Sequence, residues 1–106
     1  MLLYIRSLGL ALLMSLGVGN IGNAASFDCN KATTETEIAI CSDPELSALD
    51  EGLHIAYRDI LVSNFDDAAE TARTEQRNWI TERNLCGSEV SCLIDKYKKR
   101  HIHIVK

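Results

Sequence analysis

The chain has 106 residues, of which 46% are hydrophobic and 25% charged, with one proline, six glycines and a formal net charge of −4. That length allows one domain, and the apolar content is too high for a disordered, proline-rich or collagen-like polypeptide. Four cysteines then demand explanation, because so small a domain buries a modest core and commonly needs staples.

Met1 to Ala24 has the layout of an export leader. Arg6 supplies a short positive region, Leu8 to Val18 an apolar one, and Gly22-Asn23-Ala24 the small residues that a signal peptidase reads, with cleavage expected after Ala24 or else after Ala25. A membrane anchor is the rival reading. The apolar stretch is shorter than the roughly 20 residues that cross a bilayer, and Gly17, Gly19 and Asn20 break it. Cys29 follows Ser26-Phe27-Asp28, a context unlike the small residues that precede a lipid-attachment cysteine, so no stable anchor is expected after cleavage. Residues 25–106 are expected to form a single soluble domain in the periplasm or outside the cell.

Export makes disulfides the expected state of the cysteines. Four allow three pairings. Sequential pairing, Cys29 with Cys41 and Cys86 with Cys92, closes one short loop at each end of the domain and is the expectation. Neither spacing matches a common zinc knuckle.

Thr33 to Cys41 predicts a short first helix, with threonine caps and Glu35 and Glu37 in its first turn. Ser42-Asp43-Pro44-Glu45 then supplies a cap, a first-turn proline and a glutamate placed for a capping box. The helix that follows runs to about Ser63 and carries Leu46, Leu49, Leu53, Tyr57, Ile60 and Leu61 on one face. Asp66-Asp67 is expected to cap a third helix whose inward positions read Ala69, Ala72, Gln76, Trp79, Ile80 and Arg83. Gly87 suits a left-handed turn. Ser88-Glu89 opens the last helix, with Val90, Leu93, Ile94, Tyr97, His101 and Ile104 facing inward. The HIHIV stretch from His101 to Val105 alternates like a strand but has no partner strand, and is read as the fraying end of that helix. The fold class is therefore all-α: a small antiparallel bundle of three longer helices plus a short N-terminal helix, stapled by two disulfides.

Charge is uneven. Residues 25–75 carry twelve acids against Lys31, Arg58 and Arg73, a net of −9, whereas residues 76–106 carry seven bases against Glu82, Glu89 and Asp95, a net of +4. Nucleic acid is not an expected partner of an acidic exported protein, and Lys96, Lys98, Lys99 and Arg100 suit the solvated C-terminal end of a helix. The acidic half would steer a basic protein towards it. His54, His101 and His103 have no acid spaced to mark a catalytic pair, and His101 and His103 point apart on a helix. With no phosphate loop, nucleophile elbow or zinc-protease pair, neither an enzyme nor a cofactor or metal site is expected.

The order of these elements carries a resemblance. Phe27-Asp28-Cys29, Thr36-Glu37, Ile40-Cys41, Asp43-Pro44-Glu45-Leu46, Leu49-Asp50, Leu53 and Tyr57 resemble the opening signature of the lysozyme inhibitor LprI family. Gln76-Arg77-Asn78-Trp79-Ile80, Arg83 and the Cys86…Cys92 pair resemble its closing signature. The resemblance spans Phe27 to about Tyr97 and implies an all-helical, exported protein that inhibits a lysozyme or other cell-wall hydrolase by non-covalent binding. It does not bring surface anchoring with it, since the family's founding type is a lipoprotein and this chain lacks the attachment cysteine. An envelope interaction or immunity module without lysozyme activity is the alternative. Which partner is bound, through which residues and in which oligomeric state are left open. Of the signature residues, Asp50, Tyr57, Gln76, Arg77, Trp79 and Arg83 are expected to serve the scaffold: Tyr57 and Trp79 on core faces, and Gln76, Arg77 and Arg83 satisfying buried acceptors or pairing with Asp50.

Overall fold

The computed structural model describes residues 25–105, so the leader expected at 1–24 lies outside the described residues. A 3-10 turn at Cys29–Lys31 precedes four helices, α1 (Glu35–Ser42), α2 (Pro44–Ser63), α3 (Asp67–Asn84) and α4 (Val90–Val105). The architecture is the all-α bundle that the periodicity predicts, closed by Cys29–Cys41 and Cys86–Cys92.

The first two helices start where local chemistry satisfies their first N–H groups. Thr34 Oγ1 accepts from the Glu37 N–H at 3.1 Å, while the Glu37 carboxylate reaches back to the Thr33 N–H at 3.2 Å. Asp43 serves two helices at once. Its own N–H donates to the Ala39 carbonyl, ending α1, and its side chain accepts from the Leu46 N–H at 3.0 Å, starting α2. This places Glu45 at the second helical position, so the expected capping box does not form; Ser42 instead donates to the Ile38 carbonyl at 2.7 Å. Asp66 is a second departure, because it precedes α3 at φ 57° and makes no side-chain cap. Gly87 does take the left-handed conformation, at φ 61°, and a Cβ there would lie 3.3 Å from the Glu35 carboxylate. The alternating HIHIV segment stays helical to Val105.

The core gathers at one end of the bundle. Ile40, Leu46, Leu53, Leu93 and Tyr97 are buried together with Ala25, and Cys29, Cys41 and Cys86 pack on this cluster. Two polar bonds lock α1 into the same end, Ser47 Oγ to the Ile40 carbonyl at 2.7 Å and Thr36 Oγ1 to the Gly87 carbonyl at 2.8 Å. Beyond Leu53, α2 buries no side chain, and Tyr57, Ile60 and Leu61 are only half-buried. Ile80 and Val90, expected to face inward, are 37% and 39% exposed. Each sits at the edge of an apolar stripe, where a bundle of only three long helices has no further layer to cover it.

Candidate functional site

A solvent-open groove of about 310 Å³ lies between α2 and α3, and its walls hold most of the signature residues. Phe27 and Leu53, with Tyr57, Trp79 and Ile80, give it an apolar body, while Asp50, His54, Gln76 and Arg83 supply polar groups.

Its floor is a buried hydrogen-bonded chain. Asp50, on the inner face of α2, accepts from the Ser26 N–H at 2.7 Å, from the Ser26 hydroxyl and from the Tyr97 hydroxyl at 2.7 Å. Tyr97 in turn accepts from Arg83 Nη1 at 3.2 Å. The guanidinium is fixed further by Asn84 Oδ1, which takes bonds from Nε at 3.0 Å and Nη2 at 2.8 Å. The tyrosine hydroxyl thus connects an acid on α2 to an arginine on α3 that never touch directly. Burial, followed by the Asp50 charge, pushes the Tyr97 pKa far above its ordinary value. Tyr97 accordingly stays protonated and donates a hydrogen bond to Asp50. Among the described residues no buried side-chain nitrogen or oxygen lacks a partner.

Trp79 stands over this network. Its ring meets the Tyr97 ring edge-on, with centroids 5.0 Å apart, and the Arg83 guanidinium carbon lies 5.7 Å from its centroid. The indole is half-buried, forming a wall of the groove as well as a lid on the core. Trp79→Ala is therefore expected to cost about 2 kcal/mol, less than a fully buried tryptophan, and urea unfolding of the two proteins would measure it.

The three polar signature residues expected to satisfy buried acceptors or to pair with Asp50 have different fates. Arg83 reaches it only through Tyr97. Gln76 accepts from Arg100 Nε at 3.1 Å, tying α3 to a buried arginine of α4. Arg77 is exposed and donates to Thr74 Oγ1 within α3, so it satisfies no buried acceptor. Tyr57 lines the groove half-buried instead of entering the core. Ser26 and the Tyr97 hydroxyl are the members that sequence reasoning missed. Tyr97 lies on the expected inward face, but periodicity does not say which acid its hydroxyl will find. Of the histidines, His54 lines the groove, His101 is half-buried and His103 is exposed. No group of three His, Cys, Asp or Glu among the described residues is placed to hold a metal ion.

Comparison with known proteins places these features in context. A family model described as "Lysozyme inhibitor LprI" matches residues 29–102, which includes both disulfides and most of all four helices. The chain is 29% identical over 82 residues to the protein named "Lipoprotein LprI" in Mycobacterium bovis, and equally so to its namesakes in two strains of Mycobacterium tuberculosis. The alignment covers 74% of this chain and 40% of each mycobacterial protein, so the chain spans less than half the length of these relatives. No solved structure matches. Among the described residues no helix is long and apolar enough to cross a membrane.

Proposed function

Because the chain belongs to the lysozyme inhibitor LprI family, we propose that it is exported to the periplasm or beyond, freed of residues 1–24, and inhibits a cell-wall hydrolase by binding it non-covalently. The observation that carries this reading is the family match itself, since it spans 29–102 and takes in both staples and the groove-lining residues of α2 and α3. Two physical features agree with it. The buried polar groups at the groove floor bond to one another, an arrangement that holds a shape. The net of −9 over residues 25–75 would draw in a basic partner and quicken encounter at low salt. Hen-type lysozyme is basic, and its long cleft carries the catalytic carboxyl groups, so a protein seated across it stops the reaction sterically. In this reading Asp50, Tyr97, Arg83 and Trp79 keep the scaffold rigid so that little ordering entropy is lost on binding.

A turbidity assay tests the proposal. Purified protein in micromolar excess is expected to slow the clearing of bacterial cell walls by hen-type lysozyme, with a bacterial lytic transglycosylase assayed in parallel. If neither enzyme is slowed, the inhibitor reading fails and an envelope interaction or immunity role replaces it.

A further inference from the structure

The two ends of the bundle use their apolar residues differently. At the stapled end the fully buried side chains Ile40, Leu46 and Leu93 collect, while Ile38, Leu85 and Val90 are exposed singly around them. At the opposite end, where α2 turns into α3, Val62 and Phe65 are 68% and 78% exposed. Ile55, 54% exposed and seven residues before Val62, shares its helix face, and Ile55, Arg58, Asp59 and Val62 line a shallow hollow of about 160 Å³. Three large apolar side chains within eleven residues of sequence are thus left in water, and nothing in the packing of the bundle uses them. Grouped exposure of this kind on a small protein marks a surface that meets something else.

The surroundings indicate what that is. Asp59, Asp66, Asp67 and Glu70 frame the turn, with Arg73 paired to Glu70 at 3.4 Å and Arg58 beside Asp59 in the hollow. The turn is the convex tip of a helical hairpin, and Phe65 sits at that tip on neither helix. An aromatic anchor on a protruding acidic tip is complementary to a concave site on a basic protein, and aromatic side chains with little rotamer freedom dominate such contacts.

We propose that the α2–α3 tip, with Phe65 and Val62 as anchors and Asp59, Asp66 and Asp67 as steering charges, is the surface that enters the cleft of a basic cell-wall hydrolase. The inference rests on the inhibitor reading given above and names the part of the molecule that performs it. The groove then serves as the support behind the tip, holding α3 against α2.

The test measures binding to hen-type lysozyme by calorimetry alongside the turbidity assay. Phe65→Ala with Val62→Ala is expected to weaken binding by about tenfold or more, with an unchanged melting temperature because both side chains are exposed. Phe65→Arg, which sets a positive charge against a basic partner, is expected to abolish binding. Leu85→Ala, equally exposed at the other end, is expected to bind like the wild type. Asp66→Asn with Asp67→Asn is expected to slow association and flatten its salt dependence. If the wild type binds and the Phe65 variants bind equally well, the tip is overturned while the inhibitor reading stands. If the wild type neither binds hen-type lysozyme nor slows either hydrolase, both fall together.

Discussion

Tyr97→Ala is expected to destabilise the protein by about 3–5 kcal/mol, the range for emptying a buried aromatic site. Tyr97 is the largest fully buried side chain among the described residues, and it ties α4 to two other helices: its ring meets Trp79 of α3 and its hydroxyl meets Asp50 of α2 and Arg83 of α3. Tyr97→Phe separates the two contributions. It keeps the ring but deprives Asp50 of one donor and Arg83 of one acceptor, and should cost about 1–3 kcal/mol by itself. The pair also carries a pH signature. The folded-state pKa of Tyr97 is raised above the ordinary 10.0, so its contribution to stability is full below that value and is lost as pH rises towards the folded one. Wild-type stability should therefore fall more steeply above pH 10 than that of Tyr97→Phe. Urea unfolding at neutral and alkaline pH measures all three quantities. A Tyr97→Phe protein as stable as the wild type would show that the hydroxyl chain contributes nothing.

Reduction of both disulfides should lower the melting temperature steeply. In the chain-entropy account the Cys29–Cys41 loop contributes about 3 kcal/mol and the shorter Cys86–Cys92 loop about 2 kcal/mol. Their combined effect approaches the lower end of the roughly 5–15 kcal/mol that native proteins possess. The larger loss should follow Cys29→Ser with Cys41→Ser, since that bridge closes the longer loop and binds the chain's first turn to the end of α1. Calorimetry of the oxidised, reduced and two double-serine proteins would order them. A reduced protein that melts with the oxidised one would contradict this account of the small core.

The helices were legible in the residues because their signals are local. Pro44 behind Asp43, Gly87 after Arg83, and the three- and four-residue steps of α2 all act within a turn or two of chain. The candidate site was legible only in outline. Asp50 and Arg83 could be named from their signature positions, but they meet through a tyrosine 47 residues from Asp50, and no local pattern encodes that distance. Arg77 illustrates the opposite failure. It neighbours Gln76 in sequence, yet one residue along a helix turns a side chain about 100°, enough to carry it from the bundle's interior into water. Ile80 and Val90 failed for a related reason: an apolar stripe says which way a residue faces and not whether another layer exists to cover it.

Cross-links and the four most fully sequestered large side chains collect around α1, the first halves of α2 and α4 and the turn at Gly87. Fraying is expected to be easiest from Ile60 through the start of α3, where Ala69 is the one buried side chain among the described residues. Such a division allows the tip residues to be substituted without endangering the body that carries them.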